Sequence, residues 1–76
     1  VDSQAERELI LGQVRETTHE MNQPIQVILG LAELLLAGQA DPASVRADVE
    51  KIADQARRLH HLNRRLNRLA KTGRPD

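Results

Sequence analysis

The sequence contains no Cys, Phe, Tyr or Trp. Without Cys there is no disulfide, no thiolate metal site and no thiol nucleophile, a composition that fits a reducing compartment. Without aromatic rings there is no platform on which bases stack, which argues against single-strand nucleic-acid binding and against an adenine-stacking pocket. No apolar run approaches the roughly 18 residues of a membrane span. No basic start followed by an apolar stretch and a small-residue cleavage site marks a signal peptide. The expectation is a cytoplasmic segment with no membrane contact of its own, although a parent protein can still be membrane-anchored.

What is present is aliphatic: 11 Leu, 9 Ala, 5 Val, 4 Ile and 1 Met in 76 residues. A chain of this length forms one domain at most, residues 1–76, and its single core is marginal unless something besides its own burial supports it. Net charge is zero, yet the halves differ. Residues 1–38 carry six acids against two bases (net −4), and residues 39–76 carry five acids against nine bases (net +4). Between Arg57 and Arg74 there are seven bases and no acid. Taken alone, that run suggests a nucleic-acid or membrane-facing helix. If the halves fold back on each other, however, the basic end lies beside the acidic start (Glu6, Glu8, Glu16, Glu20) and the charges complement one another. The second reading is favoured, and no nucleic-acid partner is expected.

The punctuation predicts two helices. Ser3 with Glu6 three residues on reads as a capping box. Gly38 reads as a left-handed stop, and Asp41-Pro42 as the cap and first-turn proline of a new helix. Gly73 and Pro75 read as its end. The first helix is thus expected over about 4–37, the loop over 38–41 and the second helix over about 42–71, and so short a link makes the pair antiparallel.

Apolar residues recur in heptads. Leu11, Thr18, Ile25 and Ala32 form one series in the first helix and Val14, Met21, Ile28 and Leu35 another. In the second helix Val45, Ile52, Leu59 and Leu66 pair with Val49, Ala56, Asn63 and Ala70. Flanking residues such as Ile10, Leu29, Leu31, Leu36, Leu62 and Leu69 make both stripes wider than one partner helix covers. The predicted fold class is therefore all-α, an antiparallel two-helix hairpin that forms a homodimeric four-helix bundle. Asn63 in the seam either fixes register or marks a loose, wet layer.

One segment departs from helix rules: Thr18-His19-Glu20-Met21-Asn22-Gln23-Pro24-Ile25. Pro24 falls inside a continuous amphipathic pattern, where it costs on the order of 3 kcal/mol and leaves the Glu20 carbonyl without its helical donor. The plain reading is a tolerated kink; the functional one is a hinge beside a site. His19 follows Thr18 in the heptad and so points outward. An exposed imidazole is usually only surface, but its free ring nitrogen can act as a nucleophile, and Glu20 could accept the proton of the other nitrogen. Gln23, one turn on, shares the face and could orient a water. His-Glu-Met-Asn-Gln begins like a zinc-protease signature, but that signature needs His where Gln23 stands. His60 and His61 point about 100° apart, so they cannot chelate together, and no metal site is expected. Gln26, Val27, Gly30 and Leu34 continue the outward face of His19. They are either a docking surface or ordinary scattered surface residues.

His19-Glu20-Met21-Asn22-Gln23-Pro24-Ile25, with the apolar tail Ile28-Leu29-Gly30-Leu31-Ala32-Glu33-Leu34-Leu35-Leu36, resembles the H-box of two-component sensor histidine kinases. The two-helix layout extends that resemblance to nearly the whole chain. It implies a dimerisation and histidine phosphotransfer (HisKA-type) domain. His19 would be the phosphoacceptor and Glu20 the general base. Gln23 would stand where many members place a Thr or Asn that aligns water for dephosphorylating the regulator, a position from which Gln departs. Pro24 would be the hinge, and Gln26, Val27, Gly30 and Leu34 the partner-binding side. The partners implied are a second copy, an ATP-binding catalytic domain and a response-regulator receiver domain. The chain has no glycine-rich phosphate loop and no metal-binding carboxylate cluster. ATP and Mg are accordingly expected on the catalytic domain, no cofactor on this segment, and the segment alone is expected to be inactive. The alternative is a non-catalytic dimeric helical scaffold in which His19 is incidental.

Overall fold

A computed structural model describes residues 3–38 and 41–72. Gln39 and Ala40 of the loop, and the expected stop at Gly73 and Pro75, lie outside the described residues. Two helices make up the structure, α1 over Ser3–Leu36 and α2 over Pro42–Thr72. Ser3 is the first helical residue rather than the residue before it, and Glu6 places a negative charge in the first turn, where the helix dipole favours one. The far end of α1 closes as its sequence requires. Gly38 adopts φ 69°, and its N–H reaches the Leu35 carbonyl at 3.1 Å, while the Ala37 N–H donates to Glu33 at 3.0 Å. These bonds occupy carbonyls that the last helical turn leaves without partners.

α2 opens on a side-chain cap. The Asp41 carboxylate accepts from the Ser44 backbone N–H at 2.8 Å, and the Asp41 carbonyl starts the helical ladder by accepting from Val45 at 2.9 Å. Pro42 takes the first helical position, where its missing N–H costs nothing. The Ser44 backbone N–H, followed by the Ser44 hydroxyl, holds the Asp41 carboxyl below its ordinary 3.8. Lys71 in the last turn complements the negative end of the dipole.

The hairpin is a rod of 60 × 14 × 14 Å between Cα atoms, with a radius of gyration of 17.5 Å. A compact domain of this length has a radius near 11 Å. Such a slender body can bury little. Thr17, Pro24 and Leu62 are buried, and the remaining contact between the helices is half-buried.

The burial pattern locates the seam inside the chain. On α1 it runs through Ile10, Val14, Thr17, Met21, Pro24, Ile28, Leu31 and Leu35, and on α2 through Asp48, Ile52, Gln55, Leu59, Leu62, Leu66 and Leu69, in alternating steps of three and four. The series through Met21 is the one expected from the sequence, and so is the series through Leu59 except for Val45, which stays 37% exposed. The second series on each helix is displaced by one residue from the expected one. Leu11, Ile25 and Val49 remain 57%, 44% and 50% exposed, and Ala56, Asn63 and Ala70 are exposed as well. The reason is geometric. Each helix carries an apolar stripe wide enough for two seams, and one neighbouring helix closes only one of them. The second stripe forms an open, mainly apolar groove of about 340 Å³ lined by Met21, Ile25, Ala56, Leu59, His60 and Asn63.

Candidate functional site

α1 runs without interruption from Ser3 through Pro24 to Leu36, so His19 sits on regular helix. Two threonines precede it. The Thr17 hydroxyl donates to the Gln13 carbonyl at 2.8 Å, and the Thr18 hydroxyl donates to Val14 and Arg15 at 3.1 and 2.9 Å. Back-bonding of this kind satisfies a hydroxyl without a tertiary partner and favours bending of the helix. Thr17 is buried towards α2 and Thr18 is exposed, which turns the next residue, His19, to the outside. No hydrogen bond or ion pair among the described residues engages the His19 ring.

At about 100° per residue, Gln23, Gln26 and Gly30 lie within about 40° of His19, and Val27 and Leu34 lie within about 80°. All of them are exposed. Gly30 has no internal reason to be glycine. A Cβ there would meet nothing within 4 Å, and Gly in mid-helix costs roughly 0.5–1 kcal/mol relative to Ala. The face thus combines an unengaged imidazole, two amides, a small residue and two exposed aliphatic side chains.

Glu20 takes a different direction from His19. It is half-buried on the flank of the hairpin seam, with Oε2 3.8 Å from Nη1 of Arg65 on α2. Among the described residues this is the one ion pair that joins the helices; Arg46–Glu50 and Arg57–Asp54 each lie within α2. The charge complementarity expected between the halves is therefore carried by a single contact. No hydrogen bond among the described residues joins Glu20 to His19. Arg65 was the residue that sequence reading left out of the site. Its signal was a base on the seam-flanking heptad position of α2, but which acid it faces depends on the register of the two helices.

Pro24, one turn after Glu20, is buried on the seam and not in contact with solvent. His60 lines the groove on the other side of the hairpin, and its ring lies 6.1 Å from that of His61 at a 55° tilt. Among the described residues no group of three metal-ligating side chains comes together, and no helix is long and apolar enough to cross a membrane.

The family model of the His Kinase A (phospho-acceptor) domain matches residues 11–75. That stretch takes in His19, the seams, the loop and nearly all of α2. The chain belongs to this family, the phosphoacceptor and dimerisation domains of the histidine kinases that act in two-component signalling. No curated protein and no solved structure matches the chain.

Proposed function

We propose that two copies of this hairpin pair through the exposed second seam into a four-helix bundle, and that His19 on each outer face carries a phosphoryl group between two partners. The donor is ATP held with Mg by a separate catalytic domain in the cytoplasm, and the acceptor is an Asp of a response-regulator receiver domain. In the first step the lone pair of a His19 ring nitrogen attacks the γ-phosphorus. A P–N bond forms, the bond from phosphorus to the bridging oxygen breaks, and ADP leaves with that oxygen. The proton on the other ring nitrogen passes to Glu20 and then to water. In the second step a proton returns from water through Glu20 to the other ring nitrogen, a carboxylate oxygen of the regulator attacks the phosphorus, and the P–N bond breaks as a P–O bond forms, releasing neutral imidazole.

The observation that carries this reading is His19 itself: exposed, unengaged by any described residue, and inside the stretch that matches the family. Gln23 shares its face, and an amide at that place supports a water-positioning role. Its length departs from the Thr or Asn found there in many members of the family, and dephosphorylation is correspondingly inferred to be weak. Pro24 is the hinge of α1, because it removes one helical hydrogen bond directly beside the site. Gln26, Val27, Gly30 and Leu34 form the side on which the receiver domain docks.

The test is to incubate the chain with the ATP-binding domain of its own kinase and ATP labelled at the γ-position. Label should enter the wild type and not His19→Gln, with both proteins dimeric by sedimentation. A dimer that takes no label under conditions where the ATP-binding domain is active would instead be a scaffold.

A further inference from the structure

Resting on the reading of His19 and Glu20 above, the geometry points to Arg65 as a positioning residue that competes with His19 for the Glu20 carboxylate. Adjacent residues on a helix project about 100° apart, so a residue following an outward His does not face it. Here His19 points to solvent while Glu20 lies on the flank of the seam. Its Oε2 is 3.8 Å from Arg65 Nη1, with the two side chains 34% and 51% exposed. A carboxylate held towards α2 is turned away from the imidazole whose proton it must receive. To serve His19, Glu20 must swing about its own side-chain torsions and leave Arg65.

The balance between the two positions is shallow. An exposed ion pair at this distance is weak and screened by salt, so a small rotation or slide of α2 against α1 is enough to release the carboxylate. The helical hydrogen bond missing at Pro24, one turn after Glu20, lowers the cost of such a displacement on α1. Among the cations near Arg65 on this side of α2, Arg58 stands one heptad before it and Arg68 three residues after it. Neither is within ion-pair distance of Glu20, so the restraint is specific to Arg65. Signalling that turns α2 would in this way set the nucleophilicity of a residue on α1 without touching it.

The experiment measures the initial rate at which His19 is labelled by the ATP-binding domain, for wild type, Arg65→Gln and Arg65→Lys, over a range of salt. Arg65→Gln should label roughly two- to fivefold faster than wild type, the factor an exposed pair can shift an equilibrium. Arg65→Lys, which keeps the charge, should stay near wild type. The ratio of Arg65→Gln to wild type should shrink towards one as salt is added, because salt breaks the pair in the wild type alone. In a Glu20→Gln background Arg65→Gln should have no effect. An Arg65→Gln protein that labels at or below the wild-type rate, or a gain that persists in the Glu20→Gln background, overturns the inference and leaves the phosphoacceptor reading standing. Failure of the wild type to take label on His19 overturns both.

Discussion

Thr17 and Pro24 stand one heptad apart on α1, and both are buried to less than 2% exposure. The residue that breaks the helix ladder thus faces the other helix and not solvent, while the His19–Gln23 strip lies on the opposite side. Thr17 tolerates burial because its hydroxyl bonds to the Gln13 carbonyl. The inner seam is thus most fully buried at the level where chemistry is expected on the outer face.

Pro24→Ala is expected to stabilise the hairpin by about 1.5 kcal/mol. Restoring the donor to the Glu20 carbonyl and removing the ring clash is worth about 3 kcal/mol, and losing about two buried methylenes gives back roughly half of that. Thermal melts should show the gain, and the labelling rate of His19 should fall because the hinge is stiffer. A less stable Pro24→Ala protein would mean that the ring's packing outweighs the lost bond.

Ile25→Glu is expected to abolish the proposed dimer. Ile25 lies on the second seam, 44% exposed in the single chain, and lines the groove with Ala56, Leu59 and Asn63. A second copy would bury it, and a carboxylate there would be desolvated without a partner. Sedimentation should give a dimer for wild type and a monomer for the variant. A dimer of unchanged affinity would place the interface elsewhere.

The two ends of the loop were legible in the sequence because each is decided by local chemistry. Gly38 adopts the left-handed conformation that only glycine takes cheaply, and Asp41 caps α2 as its position before Pro42 requires. Which apolar series closes within the chain was not legible. The series through Ile10, Thr17, Pro24 and Leu31 and the one through Leu11, Thr18, Ile25 and Ala32 are adjacent on one wide stripe, and the stripe itself does not say which of them meets α2. The exposure of His19, Gln23 and Gly30 followed from heptad position alone. The Glu20–Arg65 pair did not, because 45 residues separate its members and its existence depends on how the helices are aligned.

Gly30→Ala separates folding from docking. With nothing within 4 Å of the added methyl, the substitution should stabilise the helix by about 0.5–1 kcal/mol. If a receiver domain approaches the α1 backbone at this point, transfer from phosphorylated His19 to the regulator should slow at least severalfold. Gly12→Ala, equally open but outside the strip from His19 to Leu34, should give the same stabilisation and leave transfer unchanged. Equal transfer by both variants would remove Gly30 from the docking side.

Asp41 makes stability depend on acid. Its carboxyl is held below the ordinary 3.8 in the folded chain, first by the Ser44 backbone N–H and then by the Ser44 hydroxyl. A group whose folded value is depressed contributes stability that is present above the unfolded value and is lost as pH falls through the folded value. Asp41→Ala should therefore melt below wild type at neutral pH, and the gap should narrow below about pH 4. A gap independent of pH would assign the cap's effect to something other than the ionised carboxylate.

The proposed phosphotransfer requires a ring nitrogen of His19 to accept the phosphoryl group. Fragmentation of the labelled chain, with the stability of the label followed in acid and in base, tests it most directly. A single modified residue is expected, His19, bearing a phosphoramidate that acid removes and base preserves. Label located on His60, His61 or a hydroxyl side chain, or an acid-stable bond, would contradict it.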